Sequence, residues 1–131
     1  RNRKLSNLLI VCGEALPFSQ HYLETGSIAG CYINFPDPWP KEKHAKHRLF
    51  QAPFVEEMSR VILPGGKAIV ATDDAPWTER ICSAMLAHPA WRSSFEAPYY
   101  VTEWPDYGTS YFNELWLEKG KTIHYMQFMR A

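Results

Sequence analysis

Residues 35–41 read Phe-Pro-Asp-Pro-Trp-Pro-Lys and follow an apolar run at 30–35 that has the composition of a buried strand. Three prolines in seven residues can neither extend a strand nor enter the interior of a helix. They predict a stiff loop directly after the strand, at the edge of an open α/β sheet where ligands bind. The loop carries a carboxylate, an indole and an ammonium group, which together suit a site that grips a nucleobase and its phosphates.

The overall charge limits what such a site can be. The chain has 131 residues, enough for one domain, and its 14 basic and 14 acidic side chains give a net charge of zero. A nucleic-acid binder usually has a basic excess, so any such binding must come from a local patch. Residues 41–48 supply one, with four Lys or Arg side chains against a single acid.

Cysteine and hydropathy patterns exclude several other classes. The three cysteines, Cys12, Cys31 and Cys82, are far apart and lack the spacing of a zinc site, as expected in a reducing cytosol. No apolar run approaches the roughly 20 residues that a membrane-spanning helix requires. We therefore expect a cytoplasmic protein without a bound metal.

Periodicity along the chain predicts alternating strands and helices. Strands are expected at 7–11, 28–35, 67–72 and 122–129, with an extended stretch at 97–104. Helices are expected at 48–61, from Pro76 to about Leu86 with Asp74 as cap, and at 111–118, and a turn at 63–66. This order indicates a three-layer α/β sheet whose last strand is antiparallel.

The chain resembles the bacterial tRNA (guanine-N7)-methyltransferase family. That family has FPDPWPK-x-R-H-x-K-R-R where this chain has residues 35–48, A-T-D where it has 71–73, and T-x-F-E…G…I where it has Ser110, Phe112, Gly120 and Ile123. Lys43 and His47 replace arginines of the family pattern, and Asn113 replaces its usual acid.

The resemblance implies a Rossmann-like class I methyltransferase sheet that uses S-adenosylmethionine. The glycine-rich turn and the acid-ended second strand of the family have no counterpart here, so residues 1–131 are expected to form a single partial domain, inactive alone, that corresponds to the C-terminal two thirds of the enzyme. Residues 8–11 look like the third strand. The family's strand order, 3-2-1-4-5-7-6, then predicts that the strand at 28–35 lies at an open edge, which pairs with residues 8–11 or with a second copy in a homodimer.

The resemblance also implies roles for individual residues. Asp37 is the catalytic residue, which we interpret as a holder of the guanine edge because N7 needs no general base, and Asp37 and Glu14 border the cofactor. The implied substrate contacts are Lys41, Asp73, Ser110, Tyr111, Phe112 and Asn113. The implied patch for the partner tRNA is Lys43, His44, Lys46 and Arg48.

Other interpretations stay open. Asp37 is also compatible with a plain turn and Asp73 with a helix cap, and Trp39 could either stack on a base or pack the loop. Nucleic-acid amino-methyltransferases carry a loosely similar [DN]-P-P-[YF] loop, although Pro36 and Lys41 favour the N7 family. A non-catalytic RNA-binding or scaffold module derived from the fold is the alternative outside enzymes. The remaining tryptophans, which no motif supports, are assigned to packing: Trp77, Trp91, Trp104 and Trp116.

Overall fold

A computed structural model describes residues 5–131 as a mixed α/β structure. Its four strands are β1 (Ile28–Asn34), β2 (Ile62–Thr72), β3 (Trp91–Ser93) and β4 (His124–Arg130). Its four α-helices are α1 (Ala15–Tyr22), α2 (Ala52–Val61), α3 (Ala75–Leu86) and α4 (Tyr111–Glu118), and two short 3₁₀ helices span Glu42–His47 and Pro105–Tyr107.

The sheet has the order β1-β2-β4-β3. β1 and β2 are parallel, whereas β4 runs antiparallel to both of its neighbours. The α/β class and the antiparallel last strand are thus confirmed, and the order equals the 4-5-7-6 half of the sheet implied by the resemblance.

Helices and loops cover both faces of this sheet. On one face α2 and α3 pack against alternate residues of the two central strands, among them Val70 and Phe128, which are fully buried. On the other face Ile69 and Tyr125 pack with Tyr107 and with Trp116 of α4. The alternation follows from the two-residue period of a strand, and it gives three layers. Within the described part of the chain, no helix is long and apolar enough to cross a bilayer.

The strand expected at 7–11 does not form. Residues 8–11 carry no strand, and their four apolar side chains are 51–85% exposed. A strand obtains its backbone hydrogen bonds from a neighbouring strand, and none of the four strands of the described chain pairs with this segment. One edge of β1 consequently has no strand partner among residues 5–131.

Three other element predictions need correction. The turn expected at 63–66 is a bulge inside β2, since Ile28 pairs with Ile62 but Gly30 pairs with Lys67. The helix expected at 48–61 begins only at Ala52, because a proline at 53 is compatible with the first turn of a helix but not with its interior. The edge strand is Trp91–Ser93, whereas the extended stretch at 97–104 contributes one isolated bridge, Val101 to Tyr125.

A buried acid joins the first two helices. The Glu57 carboxylate accepts hydrogen bonds from Ser19 Oγ (2.5 Å) and from Arg60 Nη2 (2.6 Å). Arg60 Nη2 also donates to the carbonyls of Ser19 and Leu23 near the end of α1. The hydrogen bond from Arg60 lowers the pKa of Glu57, and burial opposes this shift.

We predict that Glu57→Gln lowers the free energy of unfolding by about 1.5–3 kcal/mol at neutral pH, because it removes a charge-assisted bond to Arg60. Since the pKa of Glu57 is lower in the folded state, its contribution is present above the unfolded pKa and is lost as the pH falls through the folded value. Urea denaturation at several pH values measures both effects. Glu56→Gln is the control, because the Glu56 side chain is 72% exposed and its one ion pair among residues 5–131 is with His88. Equal stability of the two variants would contradict the prediction.

Candidate active site

The register of the two parallel strands brings two candidate segments to one edge of the sheet. Asn34 pairs with Ala71, and the Phe35 amide donates to the Ala71 carbonyl at 2.7 Å. The loop at 35–41 and the acid pair at 73–74 therefore begin side by side. Asp74, and not Asp73, caps α3, since Asp74 Oδ1 accepts from the Trp77 amide at 2.8 Å. Asp73 instead lies 3.6 Å from Lys121 Nζ.

Buried side chains anchor the loop at 35–41. Trp77, which is 1% exposed, donates its indole N–H to the Pro36 carbonyl at 3.0 Å. Arg48, which is 8% exposed, donates from Nε to the carbonyls of Pro38 (3.2 Å) and Trp39 (3.0 Å). Phe35 and Trp39 have positive φ angles of 53° and 44°, a region that large side chains rarely adopt and that marks functional loops.

The position of Arg48 differs from that of the exposed lysines with which the resemblance groups it. Its guanidinium is largely buried and satisfies backbone acceptors, although Arg48 also borders the cleft described below. The basic spacing of residues 41–48 could not show this, because the bonding partners are carbonyls up to ten residues away. Trp77 was correctly assigned to packing, and its hydrogen bond to the loop is an additional role that no motif indicated.

A cleft of about 570 Å³ connects this loop to the start of α1. Glu14 and Asp37, the two predicted cofactor residues, both line it, together with apolar side chains such as Leu16, Pro36 and Phe54. The Glu14 side chain makes no capping bond to α1. Asp37 is exposed and forms no ion pair or side-chain hydrogen bond with the residues described here. Both carboxylates are thus available to a ligand in the cleft.

The remaining basic residues lie beside the cleft. Lys41, Lys43 and Lys46 are exposed, and the last of them also lines the cleft. The Trp39 ring packs against two imidazoles, 5.4 Å from that of His44 and 5.0 Å from that of His47 by ring centroids, and the two imidazoles lie 6.0 Å from each other. Trp39 is nevertheless 36% exposed, so it packs the loop on one side and leaves part of its indole open.

The segment at 110–113 contacts the proline loop through one aromatic pair. The rings of Phe35 and Phe112 lie 6.5 Å apart. Ser110 caps α4 by accepting from the Asn113 amide at 3.2 Å, and Tyr111 is 73% exposed. Asn113 is 3% exposed, and its Nδ2 donates to the Tyr125 hydroxyl at 2.7 Å. The structure therefore places Asn113 as a support for β4 and away from the surface at which substrate contacts were expected.

A histidine that sequence reasoning did not single out lies near Asp73. The His124 ring stacks on Tyr100 at 4.2 Å, and its Nδ1 is 2.8 Å from Thr78 Oγ1. Burial lowers the pKa of His124, although Asp73 and Asp74 partly offset this shift. No cluster of three or more potential metal ligands is found among residues 5–131.

Comparisons with known proteins point to a methyltransferase family. Residues 1–126 match a family described as "Putative methyltransferase". The tRNA (guanine-N(7)-)-methyltransferase of Chlamydia muridarum is 43% identical over 129 residues, covering 98% of this chain and 57% of that protein. The enzyme of the same name from Rubrobacter xylanophilus is 32% identical over 128 residues, covering 96% of this chain and 56% of that protein. A geranyl diphosphate methyltransferase structure superposes with a TM-score of 0.49 at 13% identity, over 87% of this chain and 51% of that one.

Proposed function

Since the chain belongs to the methyltransferase family whose model it matches over residues 1–126, we propose that the protein carrying it is an S-adenosylmethionine-dependent tRNA (guanine-N7)-methyltransferase. The chain spans about 57% of the length of the curated relatives that bear this name. The observation that carries the proposal is the placement of Asp37, on a loop anchored by buried side chains, in one cleft with Glu14.

Asp37 is suited to hold guanine. A carboxylate can accept two hydrogen bonds, from N1–H and from the exocyclic amine of the base, which leaves N7 directed away from the protein acid. N7 has an in-plane lone pair and no proton, so the reaction requires positioning and no general base. The open part of the Trp39 indole is placed to stack on a base that has left its own stack.

The cleft also fits the adenine end of the cofactor. The Glu14 carboxylate can accept from an exocyclic amine, and the apolar walls of the cleft suit a planar ring. When bound, S-adenosylmethionine supplies an electrophilic methyl group. The residues of this chain would hold the adenine and the guanine on either side of it.

We assign the binding of tRNA to a basic surface made of Lys41, Lys43, Lys46 and His44. The exposed rings of Tyr111 and Phe112, near Phe35, are proposed as further contacts. Lysines contact phosphates and set the register of the nucleic acid without reading its sequence. Asp73, although paired with Lys121, remains a candidate for substrate contact at the same sheet edge. The cytoplasmic location expected for a tRNA-modifying enzyme is part of this proposal. The three free thiols are compatible with it, because disulfides are rare in the cytosol.

The open edge of β1 supports a proposal of self-association. Exposed strand edges recruit further strands, and the apolar residues 8–11 are the exposed segment of this chain best suited to pair with such an edge. Light scattering on the 131-residue chain by itself is expected to give the mass of a dimer, and replacement of Ile10 by Lys should reduce it to that of a monomer. A monomeric mass for the unaltered 131-residue chain at all concentrations would contradict the proposal.

We predict that Asp37→Asn reduces the single-turnover rate of guanine methylation by about 10- to 150-fold, because an amide presents only one acceptor and loses a charge-assisted pair. The fold should be unaffected, since Asp37 is exposed. Asp106→Asn, at an exposed position outside the cleft, is the matched control. An unchanged rate in Asp37→Asn would refute the assignment, and methylation of adenine in a panel of adenine- and guanine-containing RNAs would favour an amino-methyltransferase.

We predict that replacing Lys41, Lys43 and Lys46 by Gln weakens tRNA binding and flattens its salt dependence by about 0.7–0.9 in log–log slope for each phosphate that is no longer neutralised. Filter binding at several salt concentrations measures both quantities. Lys67→Gln is the control, because Lys67 is exposed and lies in the middle of β2, where it pairs with Gly30 near the start of β1 and away from the loop. A salt slope that does not change in the triple variant would show that the footprint lies elsewhere.

A further inference from the structure

Arg48 is a buried cation with an unusual set of partners. Besides the carbonyls of Pro38 and Trp39, it reaches the Pro40 carbonyl from Nη2 at 3.4 Å. Its acidic neighbour is Glu42, at 3.5 Å, but the Glu42 side chain is 79% exposed and lies equally close to Arg80. Exposed ion pairs contribute little, so the backbone dipoles of three consecutive loop residues are the main compensation of the Arg48 charge.

The loop depends on these donors because it supplies few of its own. Pro36, Pro38 and Pro40 have no N–H group. The loop therefore has too few amide donors of its own to bond to its carbonyl oxygens, which need donors from elsewhere in the protein. The Trp39 peptide is also held at φ 44°, which costs free energy unless the surroundings enforce it. The shorter of the two Nε bonds of Arg48 ends on the Trp39 carbonyl, so the guanidinium acts directly on the strained residue.

We propose that Arg48 is a positioning residue, which fixes the directions of Asp37 and Trp39 by binding the loop carbonyls at 38–40 and does not touch RNA. Lysine cannot replace it, because one ammonium group does not reproduce a planar fork of N–H donors directed at separate acceptors. The conformational part of the proposal stands on the geometry alone, whereas its consequence for catalysis rests on the proposed function.

The first test reads the loop without using activity. Trp39 packs against His44 and His47 and is 36% exposed, so loosening of the loop would expose more of its indole to a quencher added to the solvent. Subtracting the emission of a Trp39→Phe protein isolates the Trp39 signal, and its quenching by acrylamide at constant pH measures how accessible the ring is. In Arg48→Lys the quenching constant of this signal should rise about twofold or more, because the ring is no longer held against the histidines.

Arg130→Lys is the matched control. The Arg130 guanidinium also donates to a backbone carbonyl, that of Ser59 at 2.8 Å, but β4 places it at the opposite end of the sheet from the loop. The control should retain the Trp39 quenching constant of the unaltered protein. If Arg48→Lys also retains it while remaining folded by circular dichroism, the proposal is overturned. If Arg48→Lys and Arg48→Gln both fail to fold, Arg48 is a determinant of global stability, and the loop-specific role is equally overturned.

The second test separates positioning from RNA binding. Arg48→Lys should lower kcat by about tenfold or more, while the tRNA dissociation constant and its salt slope stay within about twofold of those of the unaltered protein. A weaker affinity with a flatter salt slope would instead return Arg48 to the RNA surface. Should no methylation of guanine be detectable in the unaltered protein, the proposed function fails, and the fluorescence result still decides the positioning role.

Discussion

The candidate site depends on the pairing of one loop's carbonyl groups with two buried donors. Three prolines remove the amides with which residues 35–41 would otherwise bond to each other, so donors must come from elsewhere in the fold. Trp77, from the first turn of α3, and Arg48, from the segment before α2, supply them. Both donors are buried, and Trp77 is part of the hydrophobic core, so the rigidity of the loop depends on groups that the packing of the folded protein keeps in place.

The parallel pairing of β1 and β2 determines where this stiffness is useful. Because the two strands end at the same edge of the sheet, the loop after β1 lies next to the N-terminal cap of α3, which follows β2. The hydrogen bond from the Phe35 amide to the Ala71 carbonyl fixes the position of one segment relative to the other. The Phe35 ring then meets Phe112 at the start of α4, so a third segment, distant in sequence, reaches the same edge. A carboxylate held on such a rigid loop loses little conformational freedom when it binds a ligand. This is the condition for catalysis by positioning.

Local chemistry was predictable from the sequence, whereas long-range pairing was not. The proline loop, the Asp74 cap and the bounds of α4 follow from residue preferences that act over a few positions. The sequence predicts a turn where the structure has the bulge at 63–66, because glycine and proline indicate irregular backbone without specifying that the strand continues beyond it. Residues 8–11 have a strand's composition, but a strand requires a neighbour, which composition cannot supply. The hydrogen-bond partners of Arg48 could not be predicted, because its charge suggested solvent, while the partners are carbonyls that only the folded loop brings together.

The open edge of β1 and the candidate cleft are physically linked. β1 ends at Asn34, and the next residues are the loop that carries Asp37. Glu14, on the opposite side of the cleft, follows shortly after the exposed apolar segment at 8–11. A strand that pairs along β1 must run beside Asn34, and it therefore abuts the cleft at one of its own ends. Whatever covers this edge, whether a further part of the same protein or a second copy, lies next to the cleft, so the assembly of the sheet and the binding of a ligand in the cleft involve neighbouring residues.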